Sequence, residues 1–338
     1  MVTLKDIARQ AGVSVMTVSR VVNGQLSKVS KENIDKIQKI IEETHYVPNS
    51  SARSLSSRSS HIVALVISGE SNQLSNPYNA ILAGEVIERV QKQGYYVMVH
   101  FISHYEDITQ RLRAWNAEGA IFFGTFDQDI QKIMFDNRIA LVFTDSYTHV
   151  RQVTNVGLDD YKGGVLAAEH FIQSGHQTVA FMGTSLNQQQ LSSVVNNRLD
   201  GYRDTLEKAG LALPDNYILD MSVSPLSPAQ AVMALQPRPT AILVAADLQA
   251  VELIQDLKQN GLRVPEDLSV IGFDDLPLAR MVTPRLTTIR QDLKQKAQVA
   301  TELLFRHIQD PYAPAENIIL DVELLQRDST ASPCPDQP

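Results

Sequence analysis

The chain opens with Val2-Thr-Leu-Lys-Asp-Ile-Ala-Arg-Gln-Ala-Gly-Val-Ser-Val-Met-Thr-Val-Ser-Arg-Val-Val-Asn23, and this stretch decides how the rest is interpreted. Its apolar residues recur at helical spacing in two separate groups. These are Ile7, Ala8 and Ala11 in the first group and Val18, Val21 and Val22 in the second. Gly12 lies between the groups, where a tight turn often requires a positive φ. Thr3 and Ser14 stand where helix N-caps are expected, so the stretch predicts a helix-turn-helix, whose second helix enters the DNA major groove.

The outer face of the predicted second helix carries no acidic residue, although the chain as a whole is acidic. This face consists of Val15, Met16, Thr17, Ser19, Arg20 and Asn23. Residues 1–60 hold nine Lys and Arg against five Asp and Glu, a net charge of +4, while the whole chain carries −8, which leaves −12 for residues 61–338. A helical hairpin at the edge of a larger fold is the alternative. The charge asymmetry favours a head that contacts nucleic-acid phosphates.

Length and composition set the outer limits. A chain of 338 residues is long enough for two or three domains. No apolar run approaches the roughly 20 residues of a membrane span and no charged-then-apolar leader opens the chain, so no membrane partner is expected. The single cysteine, Cys334, lies in a Pro-rich tail and predicts neither a disulfide framework nor a thiolate metal site. We therefore expect a cytoplasmic protein.

The first 60 residues divide into a head and a linker. A third helical pattern, from about Ser30 to Thr44, would close a three-helix core within residues 1–47. Pro48 then ends helical structure, and the Ser-rich residues 48–60 are typical of a linker. A merely flexible tether is one interpretation of this linker. The other is that Ala52-Arg-Ser-Leu55 forms one helical turn, because Leu55 is an unusual apolar residue to leave in water.

From residue 61 the pattern changes to alternating strands and helices. Near-continuous apolar strands separated by amphipathic helices predict parallel sheets covered on both faces, and their number favours two doubly wound α/β lobes. The predicted strands are Ile62–Ile67, Tyr96–Ile102, Ala120–Phe123, Ala140–Phe143, Asn155–Val156, Thr178–Met182, Tyr217–Leu219, Ala241–Val244, Ser269–Phe273 and Leu286–Ile289. Residues 329–338 show no apolar periodicity, so we expect a disordered tail.

Motifs of catalysis and cofactor binding are missing from the sequence. No Gly-x-Gly-x-x-Gly and no Gly-x-x-x-x-Gly-Lys-Ser/Thr follows a predicted strand, and neither His-Glu-x-x-His nor Gly-x-Ser-x-Gly occurs. The eight histidines are scattered along the chain. We therefore expect no cofactor, no metal and no catalytic residue.

Polar residues follow several strands, where a cleft between lobes would lie. The aspartates are Asp145, Asp159, Asp160, Asp247, Asp274 and Asp275, and Arg198 begins a later helix. Each aspartate alone is most simply a helix cap or a turn residue. Together they suit a polyhydroxylated ligand, because a carboxylate accepts from two hydroxyls and an arginine donates two parallel bonds. Candidate stacking platforms are Tyr78, Trp115, Phe126 and Tyr147, although core packing is the more common fate of an aromatic.

Taken together, the motifs resemble the LacI/GalR family of bacterial transcription regulators over essentially the whole chain. They are Thr3–Ala8, Ala11–Ser14, Thr17–Asn23, Tyr46–Asn49, Ala52–Leu55, Asp159–Gly164, Arg198–Tyr202, Val270–Asp275 and Thr283–Ile289. The resemblance implies a helix-turn-helix head and a periplasmic-binding-protein-like core that the chain crosses several times. It places the effector and dimerisation domain at 61–328, with lobe 1 at about 61–158 plus 290–316 and lobe 2 at about 159–289 plus 317–328.

The resemblance also assigns residues to DNA contact. Val15, Met16 and Arg20 match base-reading positions, and Arg20 bonding a guanine bidentately would be worth roughly 1–3 kcal/mol. Thr3, Ser14, Thr17, Ser19 and Asn23 complete the predicted contact set of the head. Leu55 matches a hinge leucine that wedges into the minor groove, with Ala52 and Arg53 beside it. The implied partner is double-stranded operator DNA of roughly palindromic sequence.

For the effector, the resemblance selects positions in the cleft. They are Tyr78, Asn79, Asp145, Asp159, Arg198, Val223, Asp247 and Asp274. Val223 stands where relatives often carry a ring-stacking aromatic, which argues against ordinary pyranose stacking. Residues 187–195 lengthen the loop before Arg198. The tail lacks leucine heptads, so a homodimer is expected rather than a tetramer.

The function expected from these features is transcriptional repression controlled by a small effector, a sugar or sugar derivative, in the cleft between the lobes. Whether the effector releases or strengthens DNA binding stays open. One alternative is a sugar-processing enzyme with an incidental helical N-terminus, which the missing catalytic motifs disfavour. The other is a plain ligand-binding protein, which the basic head disfavours.

Overall fold

The structure is a computed structural model, and it describes residues 2–46, 59–102, 106–124, 130–136, 138–146, 153–184, 186 and 193–334. The chain divides into two compact units, Met1–His61 and Ile62–Pro338, which we call the head and the body. Most of the predicted linker, including Ala52, Arg53 and Leu55, lies outside the described residues, as do Phe126 and Tyr147.

The head contains α1 (Leu4–Ala11), α2 (Val15–Val22) and α3 (Lys31–Thr44). Thr3 begins α1 with a capping box, in which its hydroxyl accepts from the Asp6 backbone and the Asp6 carboxylate accepts from the Thr3 backbone. Gly12, at φ +68°, makes the turn into α2. The three helices bury a single apolar cluster, formed by Ile7, Ala8, Ala11, Val18, Val21, Ile37 and Ile40. The predicted helix-turn-helix and its third helix are confirmed.

The body contains two six-stranded sheets. The first has the order β11-β5-β4-β3-β1-β2 and is parallel throughout. Its strands are β1 (Ile62–Ser68), β2 (Tyr96–Ile102), β3 (Gly119–Phe123), β4 (Ala140–Thr144), β5 (Asn155–Leu158) and β11 (Asn317–Leu320). The second has the order β12-β10-β9-β8-β6-β7, with β12 antiparallel to β10. Its strands are β6 (Val179–Gly183), β7 (Ile218–Asp220), β8 (Ala241–Val244), β9 (Ser269–Asp274), β10 (Thr287–Arg290) and β12 (Glu323–Leu325).

Helices accompany both sheets, and strands β3, β8 and β9 are buried throughout their length. Those of the first lobe are α4 (Pro77–Lys92), α5 (Glu106–Ala114), α6 (Ile130–Asp136) and the long α12 (Leu293–Gln309). Those of the second are α7 (Asp160–Ser174), α8 (Ser193–Lys208), α9 (Pro228–Met233), α10 (Asp247–Gln259) and α11 (Leu278–Met281). The two-lobed, doubly wound architecture is confirmed. None of the described helices has the length and apolarity to span a bilayer.

The last crossing between lobes comes later than expected. Residues 317–320, which we expected in the second lobe, form β11 and pair in parallel with β5 of the first sheet. The chain then crosses over and adds β12 to the edge of the second sheet beside β10. Neither strand was among those predicted, because both are short edge strands whose pairing partners are distant in sequence.

The expectation of a disordered tail is wrong for its first residues. The Ser329 hydroxyl donates to the Val270 carbonyl at 2.6 Å and accepts from the Thr287 backbone at 2.8 Å. The Ala331 backbone N–H donates to the Ser269 hydroxyl at 3.0 Å. Ser329 is fully buried. Hydrogen bonds to the second sheet hold this segment, and such bonds leave no apolar periodicity in the sequence.

The α7–α8 crossing requires two glycines. A Cβ at Gly164 would lie 2.0 Å from the Arg198 carbonyl oxygen, and one at Gly201 would lie 2.0 Å from the Tyr161 carbonyl oxygen. Both clashes are with backbone, so neither can be relieved by a side-chain rotation. The close approach of the two backbones fixes the position from which the Arg198 side chain extends out of α8.

Gly201→Ala should therefore lower the free energy of unfolding by about 1–3 kcal/mol through overpacking at this crossing. Urea denaturation followed by circular dichroism measures the change. Gly84→Ala is the matched control, because a Cβ at this position in α4 would meet nothing within 4 Å. The control should gain up to about 1 kcal/mol from helix propensity, and equal effects of the two variants would contradict the packing argument.

Candidate functional site

The exposed face of α2 is the candidate nucleic-acid interface of the head. Ser14 caps the helix by accepting from the Thr17 backbone at 3.1 Å, and its hydroxyl also bonds the Thr17 hydroxyl at 2.9 Å. Met16 is 64% exposed, and Val15 beside it is also exposed. Both apolar side chains are therefore accessible on this face.

The other DNA-contact residues predicted for the head lie in the second half of α2 or at the start of α1. Arg20 makes no ion pair with any described residue of the head. The Asn23 amide donates to the Ser19 hydroxyl at 3.3 Å, across the last turn of α2. Thr3 lies at the start of α1, where its hydroxyl donates to Asp6 at 2.7 Å. Arg20 is therefore a partly exposed cation on the candidate interface of α2.

In the body, the first lobe contributes a buried charge cluster to the cleft. Asp145 follows β4 in a left-handed conformation with φ +57°. Both of its carboxylate oxygens accept from the Lys296 ammonium at 2.5 Å, and one of them also accepts from the Tyr78 hydroxyl at 2.9 Å. Lys296 additionally donates to the Tyr78 oxygen at 2.8 Å. Burial and the Asp145 and Asp274 charges raise the pKa of Tyr78 well above its usual range, so the phenol keeps its proton.

Lys296 was not predicted from the sequence, although a signal was present. It lies in the first turns of α12 and is 0% exposed. Its neighbours at helical spacing, Leu293, Ala297 and Ala300, are all buried, so the lysine interrupts an otherwise apolar stripe. A charged residue on such a stripe needs a buried partner.

The second lobe places Arg198 at the centre of another set of contacts. Its Nε donates to Asp160 at 2.7 Å and one terminal nitrogen donates to the Ala245 carbonyl at 2.5 Å. Its guanidinium lies over the Phe273 ring, 3.5 Å from the centroid. Asp159, which we expected in the site, instead caps α7 by accepting from the Lys162 backbone at 2.9 Å. Asp159 is thus a helix cap, and its neighbour Asp160 forms the ion pair with Arg198.

The carboxyl end of β9 supplies Asp274, whose backbone is strained at φ +121°. Its carboxylate accepts from the Gln291 amide at 2.5 Å. Burial raises the pKa of Asp274 to about 6, and the charges of Arg198 and Lys296 oppose the rise. The Gln291 carbonyl oxygen is buried and accepts no hydrogen bond from the described residues. Gln291, the second residue that sequence reasoning missed, lies where the chain passes from β10 to α12.

Asp247 lies below Asp274 with both carboxylate oxygens engaged. One accepts from the Thr288 hydroxyl at 2.6 Å and the other from the Leu276 backbone at 2.8 Å. Burial, together with the Asp274 charge, raises the pKa of Asp247 well above its usual range. Asp247 therefore supports the floor of the site.

Two predicted positions lie apart from this cluster. Asn79 donates its amide to the Gln73 carbonyl at 3.1 Å, within the first lobe. Val223 is 76% exposed. The structure thus brings Tyr78, Asp145, Arg198, Asp247 and Asp274 together. Tyr78 is hydrogen-bonded to Asp145, the charges of Asp274 and Arg198 act on the Tyr78 hydroxyl, and the charge of Asp274 acts on Asp247. No group of three or more metal-ligating side chains occurs among the residues that the structure describes.

Family models of known proteins match both the head and the body. A family model described as bacterial regulatory proteins, lacI family, matches residues 3–49, and one described as periplasmic binding protein-like domain matches residues 168–330. The ribose operon repressor of Haemophilus influenzae is 30% identical over 98% of this chain and 99% of its own length. The transcriptional repressor PurR of Vibrio campbellii is 30% identical over 92% of this chain and 93% of its own.

Solved structures extend the comparison to the fold. The lac repressor dimer bound to operator and the anti-inducer ONPF superimposes with a TM-score of 0.85 at 29% identity, covering 98% of this chain and 99% of that one. The complex of the transcriptional regulator CelR with cellobiose gives a TM-score of 0.71 at 26% identity, covering 97% and 100%. These similarities span head and body alike.

The buried Asp274 carboxyl predicts an unusual dependence of stability on pH. Its pKa in the folded chain lies above the ordinary 3.8, so its favourable contribution is complete below pH 3.8 and is lost as pH rises through 6. Between pH 4 and 6 the free energy of unfolding should therefore fall by about 2 kcal/mol relative to Asp274→Asn. Urea titrations across this range measure the difference. Asp215→Asn, at an exposed carboxylate, is the control, and a parallel pH profile for Asp274→Asn would contradict the assignment.

Proposed function

Because the chain belongs to the lacI family of bacterial regulatory proteins and is a DNA-binding transcriptional regulator, we propose that it represses transcription from a pseudo-palindromic operator under the control of a small effector. The relatives at this level of similarity are transcriptional repressors and not enzymes. We infer that the chain likewise carries out no catalysis.

The observation that carries this proposal is the exposed face of α2. Val18 and Val21 pack into the head, so the opposite face of α2 projects Val15 and Met16 outward. Arg20 adds a guanidinium without an ion-pair partner among the described residues of the head. A helix of this kind supplies a bidentate donor for guanine and apolar contacts for thymine methyl groups.

The other predicted DNA contacts fit supporting roles in this proposal. Ser14 and Thr17 are engaged at the N-terminus of α2, where helix N–H groups and hydroxyls suit a phosphate. Thr3, Ser19 and Asn23 are assigned to the same contact region. One helix-turn-helix reads one half-site, so recognition of a palindrome requires two chains. A homodimer meets this requirement, and the lac repressor similar to this chain is a dimer on its operator.

The cleft of the body supports a sugar or sugar derivative as the effector. It presents carboxylate and amide oxygens at the carboxyl ends of parallel strands, which is where doubly wound sheets bind ligands. Tyr78, Asp145, Arg198, Asp247 and Asp274 are the proposed ligand-facing and supporting residues. Asn79, Asp159 and Val223 keep at most a peripheral role, given the contacts described above. The CelR complex holds cellobiose, which agrees with a carbohydrate in a core of this fold.

Arg20→Ala tests the recognition face directly. A duplex selected from a random library by the full-length chain serves as the specific target, and a shuffled duplex as the non-specific one. Loss of a bidentate contact should weaken specific binding by about 1–3 kcal/mol, or about 5- to 150-fold, with a much smaller effect on the shuffled duplex. Fluorescence anisotropy at several salt concentrations measures both affinities.

Lys39→Ala provides the matched control, because it removes a cation from α3, where Lys39 lies 3.9 Å from Glu43. This variant should change specific and non-specific binding to the same small degree. A fall in specific affinity no greater for Arg20→Ala than for Lys39→Ala would overturn the assigned role of α2.

A further inference from the structure

Lys296 and Arg198, the two cations of the site described above, each have a carboxylate partner. An ammonium group has three N–H bonds to donate. Lys296 directs them to the two oxygens of Asp145 and to the Tyr78 hydroxyl, at 2.5, 2.5 and 2.8 Å. The side chain is 0% exposed, and Asp145 retains only slight exposure. Lys296 and Asp145 therefore form an ion pair with no net charge, in which every ammonium hydrogen is already donated.

The charge of Arg198 is likewise balanced by a carboxylate. Two of its nitrogens donate to Asp160 and to the Ala245 carbonyl, and one face of its guanidinium lies against Phe273. The Asp160 side chain that balances its charge is fully buried. Neither cation reaches the cleft with an uncompensated positive charge.

What the cleft offers to a ligand is acceptors. The carbonyl oxygen of Gln291, a residue only 5% exposed, is buried without a hydrogen-bond partner among the described residues. The orientation of the Gln291 amide follows from Asp274, which requires the N–H side to face its carboxylate. A buried carbonyl of this kind costs free energy unless a donor reaches it. The Asp274 carboxylate beside it is a second acceptor, and its pKa of about 6 leaves it mostly ionised at neutral pH.

We propose that this cleft selects a donor-rich ligand that is neutral or cationic, a polyol or an amino sugar, and excludes uronates and sugar phosphates, with Lys296 as the residue that sets this selectivity. The inference rests on the proposed function, since it specifies the effector of the same site. Hydroxyl or ammonium hydrogens of the ligand donate to the Gln291 carbonyl and to Asp274.

An anionic ligand meets two obstacles here. Its charge comes to lie beside the Asp274 carboxylate, where like charges in a buried site repel strongly. To pair with Lys296 it has to displace Asp145, because the three ammonium hydrogens are already donated. That displacement leaves a buried carboxylate without its partner, which is more costly than the new pair is favourable.

The experiment uses sugars in matched charge series. Each series contains the neutral aldose, its 2-amino derivative, its uronate and its 6-phosphate, on the glucose, galactose and mannose skeletons, with ribose and ribose 5-phosphate added. Thermal unfolding of the full-length chain at pH 7.5 gives the concentration of each sugar needed for half-maximal stabilisation. In a series that binds, the neutral or amino member should act at a concentration at least tenfold lower than either anionic member.

Two outcomes overturn the inference. One is an anionic member that stabilises the chain at an equal or lower concentration than its neutral and amino counterparts. The other is the absence of stabilisation by any member of any series. The affinity of the chain for the selected duplex is measured on the same preparation, without and with each sugar. Specific DNA binding in either condition, together with one of these outcomes, overturns the ligand inference alone, whereas the absence of specific DNA binding in every condition overturns the proposed function.

Two variants separate the contributing groups. Asp145→Asn removes the carboxylate that neutralises Lys296, so the uronate or phosphate should gain at least tenfold relative to the neutral sugar. Gln291→Leu removes the unpaired carbonyl and should weaken the neutral or amino ligand at least tenfold. Gln298→Leu, at an exposed glutamine of α12 that donates to Glu302 at 2.9 Å, is the matched control and should leave ligand binding unchanged. An unaltered charge preference in Asp145→Asn would contradict the role of Lys296.

Discussion

The burial of carboxylates at the carboxyl ends of strands is the constraint on which the body depends. Asp145, Asp160, Asp247 and Asp274 are all buried there, and an isolated buried carboxylate is costly. They meet the cost in two ways. Asp145 and Asp160 have a cation each, whereas burial raises the pKa of Asp247 and of Asp274. The charges of the proposed ligand site are therefore set by burial and by contacts within the protein.

Close packing of helices, rather than hydrogen bonding, determines where Arg198 lies relative to these carboxylates. Arg198 meets Asp160 because α7 and α8 cross so closely that Gly164 and Gly201 touch backbone of the opposite helix. A larger residue at either glycine would move the arginine relative to the carboxylate that neutralises it. In the head, the left-handed backbone conformation of Gly12 has a similar effect, because it sets the angle at which α2 follows α1. Small residues thus decide the geometry of both functional surfaces.

The sequence allowed prediction of features whose cause is local. Caps, the Gly12 turn and helical spacing specify the head, and continuous apolar runs specify the central strands. Features that depend on distant partners were missed or misplaced. The β11 edge strand pairs with β5 about 160 positions earlier, and Ser329 is held by the second sheet. In the site, aspartates after strands were found by pattern. Lys296 was missed although it interrupts an apolar stripe of α12, and Gln291 became recognisable only when folding placed it beside Asp274.

Gln291 lies on the segment where the chain passes from β10 of the second lobe to α12 of the first, and Asp160 is the first residue of α7, directly after the passage from β5. We expect a change in the contacts of such groups to affect how the two lobes are joined. A donor that satisfies the Gln291 carbonyl would contact the same residue that holds Asp274. Under the proposed function, ligand recognition and lobe geometry would therefore be coupled at this one side chain. An effector needs only a difference in contact between two lobe arrangements to shift their populations, and Gln291 is placed to supply that difference.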